Sequence, residues 1–357
     1  MKRLVLVFPV IGLTLILAGY LSLATSSNSN AASSQTRAVV LVSGGALRTP
    51  FTTPTHACMD GDGFLAAGST YTALRKYLLE KGKQVFTAPA MDDWGIVKEP
   101  SKDSIGPFAD CAPQLPESMT IMSTGDWNAG GERLARFLGY LHTQYGITDV
   151  DLVGHSNGGM WDRAAIKVLK DINSPIRVRS LTTISSPHTG ATAPRFHAGE
   201  IDISACAGVA FCERSVKGWA ELVKAADKGL SAENTVKFTS GPDGWNAAQG
   251  DALRGIPVTL LGGTYFQAAG GDPSLLPYDG TVPLFSAWAQ DVPSEIIPWR
   301  ACWQGSLVHW IGWSDQVGIP RDMSITDNPE AMAQVNRAID EADIALEQPD
   351  RQGCQAE

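Results

Sequence analysis

Short apolar runs separated by amphipathic stretches make up most of this 357-residue chain. The run from Ala38 to Val42 is rich in β-branched residues and stops at Ser43-Gly44-Gly45, which is typical of a buried strand followed by a turn. The same pattern predicts strands at Gln84 to Thr87, Val150 to Val153, Val178 to Ile184 and Ile256 to Gly262. This alternation predicts an α/β fold with a mostly parallel central sheet and helices on both faces.

Apolar residues at helical spacing occupy the segments between these strands. Tyr71, Leu74 and Leu78 form one such apolar face, and Gly82 ends the predicted helix. Further helices are predicted around Leu134 to Leu141, from Trp161 to about Lys170, and after the helix-starting triplet Asn328-Pro329-Glu330.

Between residues 190 and 255 the alternation breaks down. This segment is rich in small residues and has one helical stretch near Trp219 to Ala226. We expect a cap-like insertion over the carboxyl edge of the sheet, not a separate domain. It is either a mobile lid or a fixed surface loop held by a disulfide between Cys206 and Cys212.

The first residues form a separate unit. Lys2 and Arg3 precede an apolar run from Leu4 to Ala24, and a stretch rich in serine, asparagine and alanine continues to about Arg37. This order predicts a signal peptide over residues 1–24, a flexible linker over 25–37 and one folded domain over 38–357, and hence a secreted protein. The alternative is an uncleaved membrane anchor that keeps the domain outside the cytoplasm.

The chain is acidic, with a formal net charge of −9 and no block of basic residues. Such a surface argues against nucleic acid or an anionic membrane as the main partner.

Six cysteines in an exported chain predict disulfides, because the compartment outside the membrane is oxidising. Sequence alone leaves the pairing open, and buried free thiols are the alternative. The nearest-neighbour pairing joins Cys58 with Cys111, Cys206 with Cys212, and Cys302 with Cys354. No cysteine and histidine cluster has the spacing of a zinc site, and no metal or cofactor is predicted.

The stretch "DVDLVGHSNGGMW" places Ser156 between glycines where a predicted strand passes into a predicted helix. A Gly-x-Ser-x-Gly turn between a strand and a helix is the pattern of a nucleophile elbow. Its glycines allow strand and helix to approach closely, and the serine hydroxyl then stands clear of the sheet. Ser156 is therefore the predicted nucleophile.

A serine needs a base to take its proton and an acid to orient that base, and in this arrangement the chain order is serine, acid, histidine. Of the later histidines, His188 follows its strand too early and His197 lies in the insertion. His309 comes beyond every predicted strand and is the predicted base. Its alternative role is packing among tryptophans, which could themselves line an acyl pocket or pack in the core.

The acid is expected on the loop after the strand that ends at Gly262. Asp279, in a turn with an apolar anchor behind it, is preferred over Asp272, which is expected to form an Asx turn. The oxyanion of the reaction needs two backbone N–H donors, for which we predict Asn157 and Gly45.

Several segments resemble the bacterial secreted triacylglycerol lipases and esterases of the α/β-hydrolase superfamily. They are "NAGGERLARFLGYL", "VDLVGHSNGG", "SLTTISSPHTG", "YDGTVPLFSA" and "LVHW". By this resemblance Ser156, Asp279 and His309 form the catalytic triad, and His188 is structural. The sequence departs from these lipases at Ser43-Gly44, where they have His-Gly. It also has Ile311 where many relatives have a calcium-binding aspartate, so a calcium site is not implied.

The resemblance implies a secreted ester hydrolase that forms an acyl-enzyme on Ser156. Its expected partner is a small-molecule or lipid ester, with transient contact with a lipid interface, and its oligomeric state is open. The first alternative is an acyltransferase that uses the same triad to pass the acyl group to an alcohol or cell-envelope acceptor. The second is a catalytically inactive binding protein on the same scaffold.

Overall fold

The computed structural model describes residues 36–57, 67–91, 115–225 and 233–347, together with Cys354. The predicted signal peptide, most of the linker, and Cys58 and Cys111 lie outside these residues. Within the described ranges, no helix is long and apolar enough to cross a membrane.

A parallel sheet of six strands forms the centre of the described domain. Its strands lie in the order β2-β1-β5-β6-β7-β8, and each pairs in parallel with its neighbours. The six strands are β1 (Arg37–Val42), β2 (Val85–Thr87), β5 (Asp149–His155), β6 (Arg177–Ile184), β7 (Val258–Gly263) and β8 (Arg300–Gly305). Two short strands, β3 (Ala90–Met91) and β4 (Ile121–Met122), form a second parallel pair. The predicted mostly parallel sheet is confirmed.

Helices cover both faces of this sheet. The α-helices are α1 (Gly68–Glu80), α2 (Trp127–Tyr145), α3 (Asn157–Asp171), α4 (Thr192–His197), α5 (Ala210–Ala225), α6 (Val236–Thr239), α7 (Trp245–Ala248), α8 (Leu284–Ala287), α9 (Ile311–Val317), α10 (Pro329–Asp340) and α11 (Ala342–Ala345). Short 3-10 turns occupy Glu117–Met119, Ile203–Cys206 and Arg321–Met323.

The pleat of the strands explains the two layers of helices. Successive side chains of a strand point to opposite faces, so a continuous apolar run such as β1 needs cover on both sides. Val40 packs in a cluster with residues of α2 and α3, whereas Val39 and Leu41 pack with residues of α1 and α10. The helices at residues 68–80 and 329–340 therefore share one face of the sheet.

The edge strand β8 was not predicted from the sequence. Its six residues, "RACWQG", show neither β-branched enrichment nor strict alternation, and most of them are only half-buried. The expectation that His309 lies beyond every strand still holds, because β8 ends at Gly305.

Disulfides join Cys206 with Cys212 and Cys302 with Cys354, with Cα–Cα distances of 5.5 and 5.2 Å. For these four residues the free-thiol alternative is wrong. The first bond lies in the segment between β6 and β7, where the structure has α4 to α7. The second links β8 to the C-terminal end of the chain.

Candidate active site

Ser156 lies between the last residue of β5 and the first residue of α3. Its backbone has φ 54° and ψ −129°, a conformation that non-glycine residues rarely adopt. A hydrogen bond of 2.9 Å from its N–H to the carbonyl of Ile184 fixes this turn against β6. In this backbone conformation the serine side chain projects out of the sheet.

Two flanking glycines make the turn possible. A Cβ at Gly158 would lie 2.1 Å from the carbonyl oxygen of Val42, and one at Gly154 would lie 2.3 Å from the backbone nitrogen of Gly159. Both are backbone atoms that a substitution would displace. This contact between β1, β5 and α3 has the geometry of a nucleophile elbow on a parallel sheet. The chain has the α/β-hydrolase fold.

His309 and Asp279 form a buried pair at the same edge of the α/β-hydrolase sheet. His309 Nδ1 lies 2.7 Å from Asp279 Oδ2, and the backbone N–H of His309 donates to the carbonyl of Asp279 at 2.9 Å. Asp279 Oδ1 accepts from the backbone N–H groups of Thr281 and Val282 at 2.9 and 2.8 Å. The turn after Asp279 therefore fixes the carboxylate that holds the imidazole.

Ser156 and His309 border one cavity of about 550 Å³. In the part of the chain that the structure describes, no hydrogen bond joins the serine hydroxyl to the imidazole. Catalytic hydrogen bonds in hydrolases often tighten only when substrate binds. The structure thus brings the three residues to one site, where the contact between Asp279 and His309 is made and no hydrogen bond joins His309 to Ser156.

Gly45 and Asn157 also border this cavity. As the first residue of α3, Asn157 has a backbone N–H with no acceptor within the helix. In the turn after β1, the N–H of Ala46 donates a hydrogen bond of 2.9 Å to the carbonyl oxygen of Ser123. The N–H of Gly45 has no acceptor within the described ranges. Gly45, not Ala46, can therefore supply the second donor.

The cavity wall combines the sheet edge with the segment between β6 and β7. Leu47, in the turn after β1, and Trp310, before α9, border the cavity on the side of the sheet. Ala193, Pro194 and Phe211 border it from α4 and α5. Aliphatic and aromatic side chains thus make up much of the lining, which suits an apolar part of a ligand.

An aromatic contact connects the segment between β6 and β7, here called the cap, to the turn after Asp279. Phe211 packs edge-to-face against Trp313, with 5.4 Å between ring centroids. The Trp313 indole N–H donates to Thr281 Oγ1 at 2.7 Å, and Thr281 is one of the two residues whose N–H holds Asp279. The cap and the turn after Asp279 therefore share one packed wall.

Sequence reasoning missed the role of His155. Its Nε2 lies 2.9 Å from the carbonyl oxygen of His309, and the two imidazole rings are 4.5 Å apart. Burial, and then the nearby charge of His309, lower the pKa of His155 well below 6.5, so the ring is neutral. The carbonyl can only accept, so Nε2 carries the hydrogen. His155 therefore links the elbow to the loop of His309, a long-range contact that no local pattern reveals.

The other sequence candidates lie elsewhere. His188 is fully buried, away from the cavity lining, with Nδ1 3.2 Å from Arg163 Nη1 and Nε2 3.1 Å from Thr183 Oγ1. His197 is exposed at the end of α4. Asp272 is exposed, and its Oδ1 accepts from the N–H of Ser274, which is an Asx turn.

Within the residues that the structure describes, no group of three or more histidine, cysteine, aspartate or glutamate side chains could hold a metal ion.

No protein-family model matches this sequence. Several solved structures are similar to this α/β-hydrolase chain at low identity. A lipase from Bacillus licheniformis in its propeptide form is 12% identical, with a TM-score of 0.42 over 77% of this chain, and the chain spans 47% of that lipase. An esterase from Staphylococcus aureus, titled putative, is 14% identical, with a TM-score of 0.40 over 86% of this chain and 76% of its own.

A bacterial membrane phospholipase A is 12% identical, with a TM-score of 0.43 over 87% of this chain and 81% of its own. At these levels of similarity the fold assignment rests on the strand order, the parallel pairing and the elbow.

Proposed function

We propose that this α/β-hydrolase is a secreted carboxylic ester hydrolase whose nucleophile is Ser156. One observation carries the proposal: Ser156 stands in a strained elbow and borders the same cavity as His309, whose imidazole is bonded to Asp279. An inactive scaffold protein would have no need to maintain a backbone conformation that costs on the order of 1–3 kcal/mol.

In the acylation step, Ser156 Oγ attacks the ester carbonyl carbon while His309 Nε2 takes the hydroxyl proton. The imidazole can accept there because Asp279 Oδ2 keeps the other ring hydrogen on Nδ1. The carbonyl electrons move onto oxygen, and the N–H groups of Gly45 and Asn157 receive that oxyanion. His309 then protonates the leaving alcohol, and the acyl group stays on Ser156.

Deacylation repeats these steps with water as nucleophile. His309 takes a proton from water, the hydroxide oxygen bonds to the acyl carbon, and the bond to Ser156 Oγ breaks as His309 returns the proton. The products are a carboxylic acid and the free serine. An acyltransferase would differ only in that an alcohol replaces the water.

The apolar lining and the volume of the cavity support esters with an acyl chain of moderate size. The two disulfides and the apolar N-terminal run support export to an oxidising compartment.

Labelling with a fluorophosphonate tests the nucleophile. We expect the folded protein to be labelled on one serine and the variant Ser156→Ala not to be labelled. Rates on p-nitrophenyl esters of rising chain length then define the acyl preference, and added alcohol reveals any transfer product. A wild-type protein that is folded but neither labelled nor active on any ester would contradict the proposal.

N-terminal sequencing of exported protein tests secretion. We expect the mature chain to begin near residue 25. An unprocessed chain that stays with the membrane would indicate the anchored alternative.

A further inference from the structure

Arg214 brings a positive charge to the rim of the cavity that holds Ser156. It lies on α5, and its neighbours Phe211 and Ser215 on the same helix also border the cavity. Apart from the two histidines, Arg214 is the one ionisable residue among the described residues that border the cavity. No aspartate or glutamate is among them.

Arg214 has no ion-pair partner among the described residues. Two other exposed arginines do have partners: Arg177 pairs with Asp149, and Arg321 pairs with Asp315. The guanidinium of Arg214 is therefore available to a charged group that enters the cavity.

The guanidinium is directed along the cavity wall. Its Cζ lies 5.9 Å from the centroid of the Phe211 ring, which is within the range of a cation–π contact. Phe211 is itself held in place, stacked on Phe266 at 4.3 Å and edge-to-face with Trp313. An aromatic wall thus supports the arginine on the cap.

The charge of Arg214 also acts on Tyr278, which is buried. Burial raises the pKa of Tyr278 far above its usual value, and the positive charge of Arg214 acts against that rise. Tyr278 directly precedes Asp279. Arg214 therefore lies close enough to this part of the chain to interact electrostatically with Tyr278.

We propose that Arg214 selects esters in which the part bound in the cavity carries an anionic group, a carboxylate or a phosphate. A guanidinium presents a planar set of N–H donors that can bind either group with two parallel hydrogen bonds. The apolar wall would hold the acyl chain while Arg214 holds the anion at the rim. This inference rests on the proposed ester hydrolysis and names its substrate class.

Two matched pairs of esters test the proposal. The first compares p-nitrophenyl hydrogen glutarate with p-nitrophenyl pentanoate, which has the same number of acyl carbons. The second compares butyrylglycerol phosphate with monobutyrylglycerol. For each pair the quantity measured is the ratio of kcat/KM for the anionic ester to that for the neutral ester.

For at least one pair we expect a ratio above one, and the larger ratio identifies the source of the anion. Arg214→Gln should lower this ratio about tenfold, mainly through KM, as expected when one charge-assisted hydrogen-bonded pair is lost. Arg214→Lys should retain part of it, because an ammonium group cannot bind in the same bidentate way. Added salt should lower the wild-type ratio.

Lys217 provides a matched control. It is exposed on the same helix, one turn from Arg214, and is not part of the described cavity lining. Lys217→Gln removes the same charge and should leave the ratio at the wild-type value. If Lys217→Gln lowers the ratio as much as Arg214→Gln does, or if Arg214→Gln leaves it unchanged, the proposal is wrong.

Wild-type ratios at or below one for both pairs would also overturn it. If the wild type cleaves none of the four esters, ester hydrolysis itself fails. Calorimetry with the Ser156→Ala variant then tests Arg214 separately. Tighter binding of the anionic ester that Arg214→Gln abolishes would support the binding role, and equal binding of both esters would exclude it.

Discussion

Gly44 marks the tightest approach to the candidate nucleophile. A Cβ built on Gly44 would lie 2.7 Å from the Cβ of Ser156 and 3.2 Å from both Nδ1 and the carbonyl oxygen of His155. Real side chains do not pack at the first of these distances, so the serine would have to move. Glycine is therefore required at position 44, in the turn after β1.

We expect Gly44→Ala to lower kcat by about a hundredfold, the typical effect of a misplacement of about 1 Å in an active site. Gly139→Ala is the control, because Gly139 lies inside α2 with nothing within 4 Å of an added Cβ. That control should raise the free energy of unfolding by about 0.5–1 kcal/mol and leave kcat unchanged. Ester hydrolysis and denaturant titration provide the two readouts, and a fully active Gly44→Ala protein would contradict the prediction.

Asp279 determines which nitrogen of His309 carries the hydrogen. In Asp279→Asn, the remaining oxygen can still accept from Thr281 and Val282, so the amide nitrogen faces His309 Nδ1. Nδ1 must then accept, the ring hydrogen moves to Nε2, and Nε2 can no longer take a proton from serine. We expect kcat to fall by about 10⁴-fold, as in other triads with the wrong tautomer.

The matched control for this change is Asp272→Asn, which alters an exposed Asx turn. It should leave kcat at the wild-type value. Less than a tenfold loss of kcat in Asp279→Asn, with circular dichroism showing an intact fold, would assign Asp279 a structural role.

At the scale of elements, two carboxyl groups lie in contact at the start of α2, those of Asp126 and Glu233. Asp126 caps the helix by accepting from the N–H of Ala129, and both oxygens of Glu233 lie 3.0–3.1 Å from the N–H of Trp127. Burial raises the pKa of Glu233 to about 9, and the neighbouring Asp126 adds to that rise. Burial is the largest influence on Asp126 and acts to raise its pKa, but the hydrogen bonds from Glu233 and from the backbone N–H groups of Ala129 and Asn128 together outweigh it, so the pKa is lowered. Glu233 therefore keeps its proton beside a charged Asp126.

This pair predicts how stability depends on pH. The folded-state pKa of Glu233 is about 9 and its usual value is 4.5, so the folded protein binds the extra proton between these values. The stabilisation that this bound proton gives to the folded protein is complete below pH 4.5 and is lost as the pH rises through 9. We expect Glu233→Gln, which mimics the protonated acid, to flatten the fall in unfolding free energy between pH 5 and 9 and to stabilise the protein at alkaline pH. Urea midpoints across this range measure it, and an unchanged slope would contradict it.

The elements differ in how far sequence could predict them. Four strands are buried on both faces: β1, β5, β6 and β7. Each therefore appears in the sequence as an apolar run, which predicts a strand. Edge strand β8 is covered on fewer sides and lacks that signal. The short strands β3 and β4 contribute two residues each, too few for any period to show.

The residues of the candidate site also differ in how far the sequence could predict them. Ser156 is marked by local glycines, and chain order narrows the choice of acid and base to Asp279 and His309. The bond from His155 to the His309 carbonyl spans 154 residues, and the approach of Phe211 to Trp313 depends on how the cap folds back. Such contacts arise from tertiary packing, which leaves no pattern in the neighbouring sequence. Arg214 shows the same limit, because nothing near it in the sequence distinguishes it from an ordinary surface arginine.

At the scale of the whole molecule, the two disulfides close loops of very different length. Cys302 and Cys354 are 52 residues apart and fasten the end of the chain to the edge strand, whereas Cys206 and Cys212 are six apart within the cap. In the chain-entropy model the longer loop stabilises more, by about 4 kcal/mol against about 2 kcal/mol for the shorter. The paired change Cys302→Ser and Cys354→Ser should therefore lower the unfolding free energy by about 4 kcal/mol and leave kcat unchanged, since neither cysteine borders the cavity.

The paired change Cys206→Ser and Cys212→Ser should lower the stability less and affect ester binding more. It loses less stability, yet Cys212 directly follows Phe211, whose ring supports both the cavity wall and Arg214. We expect a rise in KM for esters, because the loosened helix start no longer holds that ring in place, together with a smaller fall in melting temperature than in the terminal double variant. Thermal melts and ester kinetics on both double variants separate the two effects. If the cap variant loses as much stability as the terminal one while its KM stays at the wild-type value, the cap disulfide has a purely structural role.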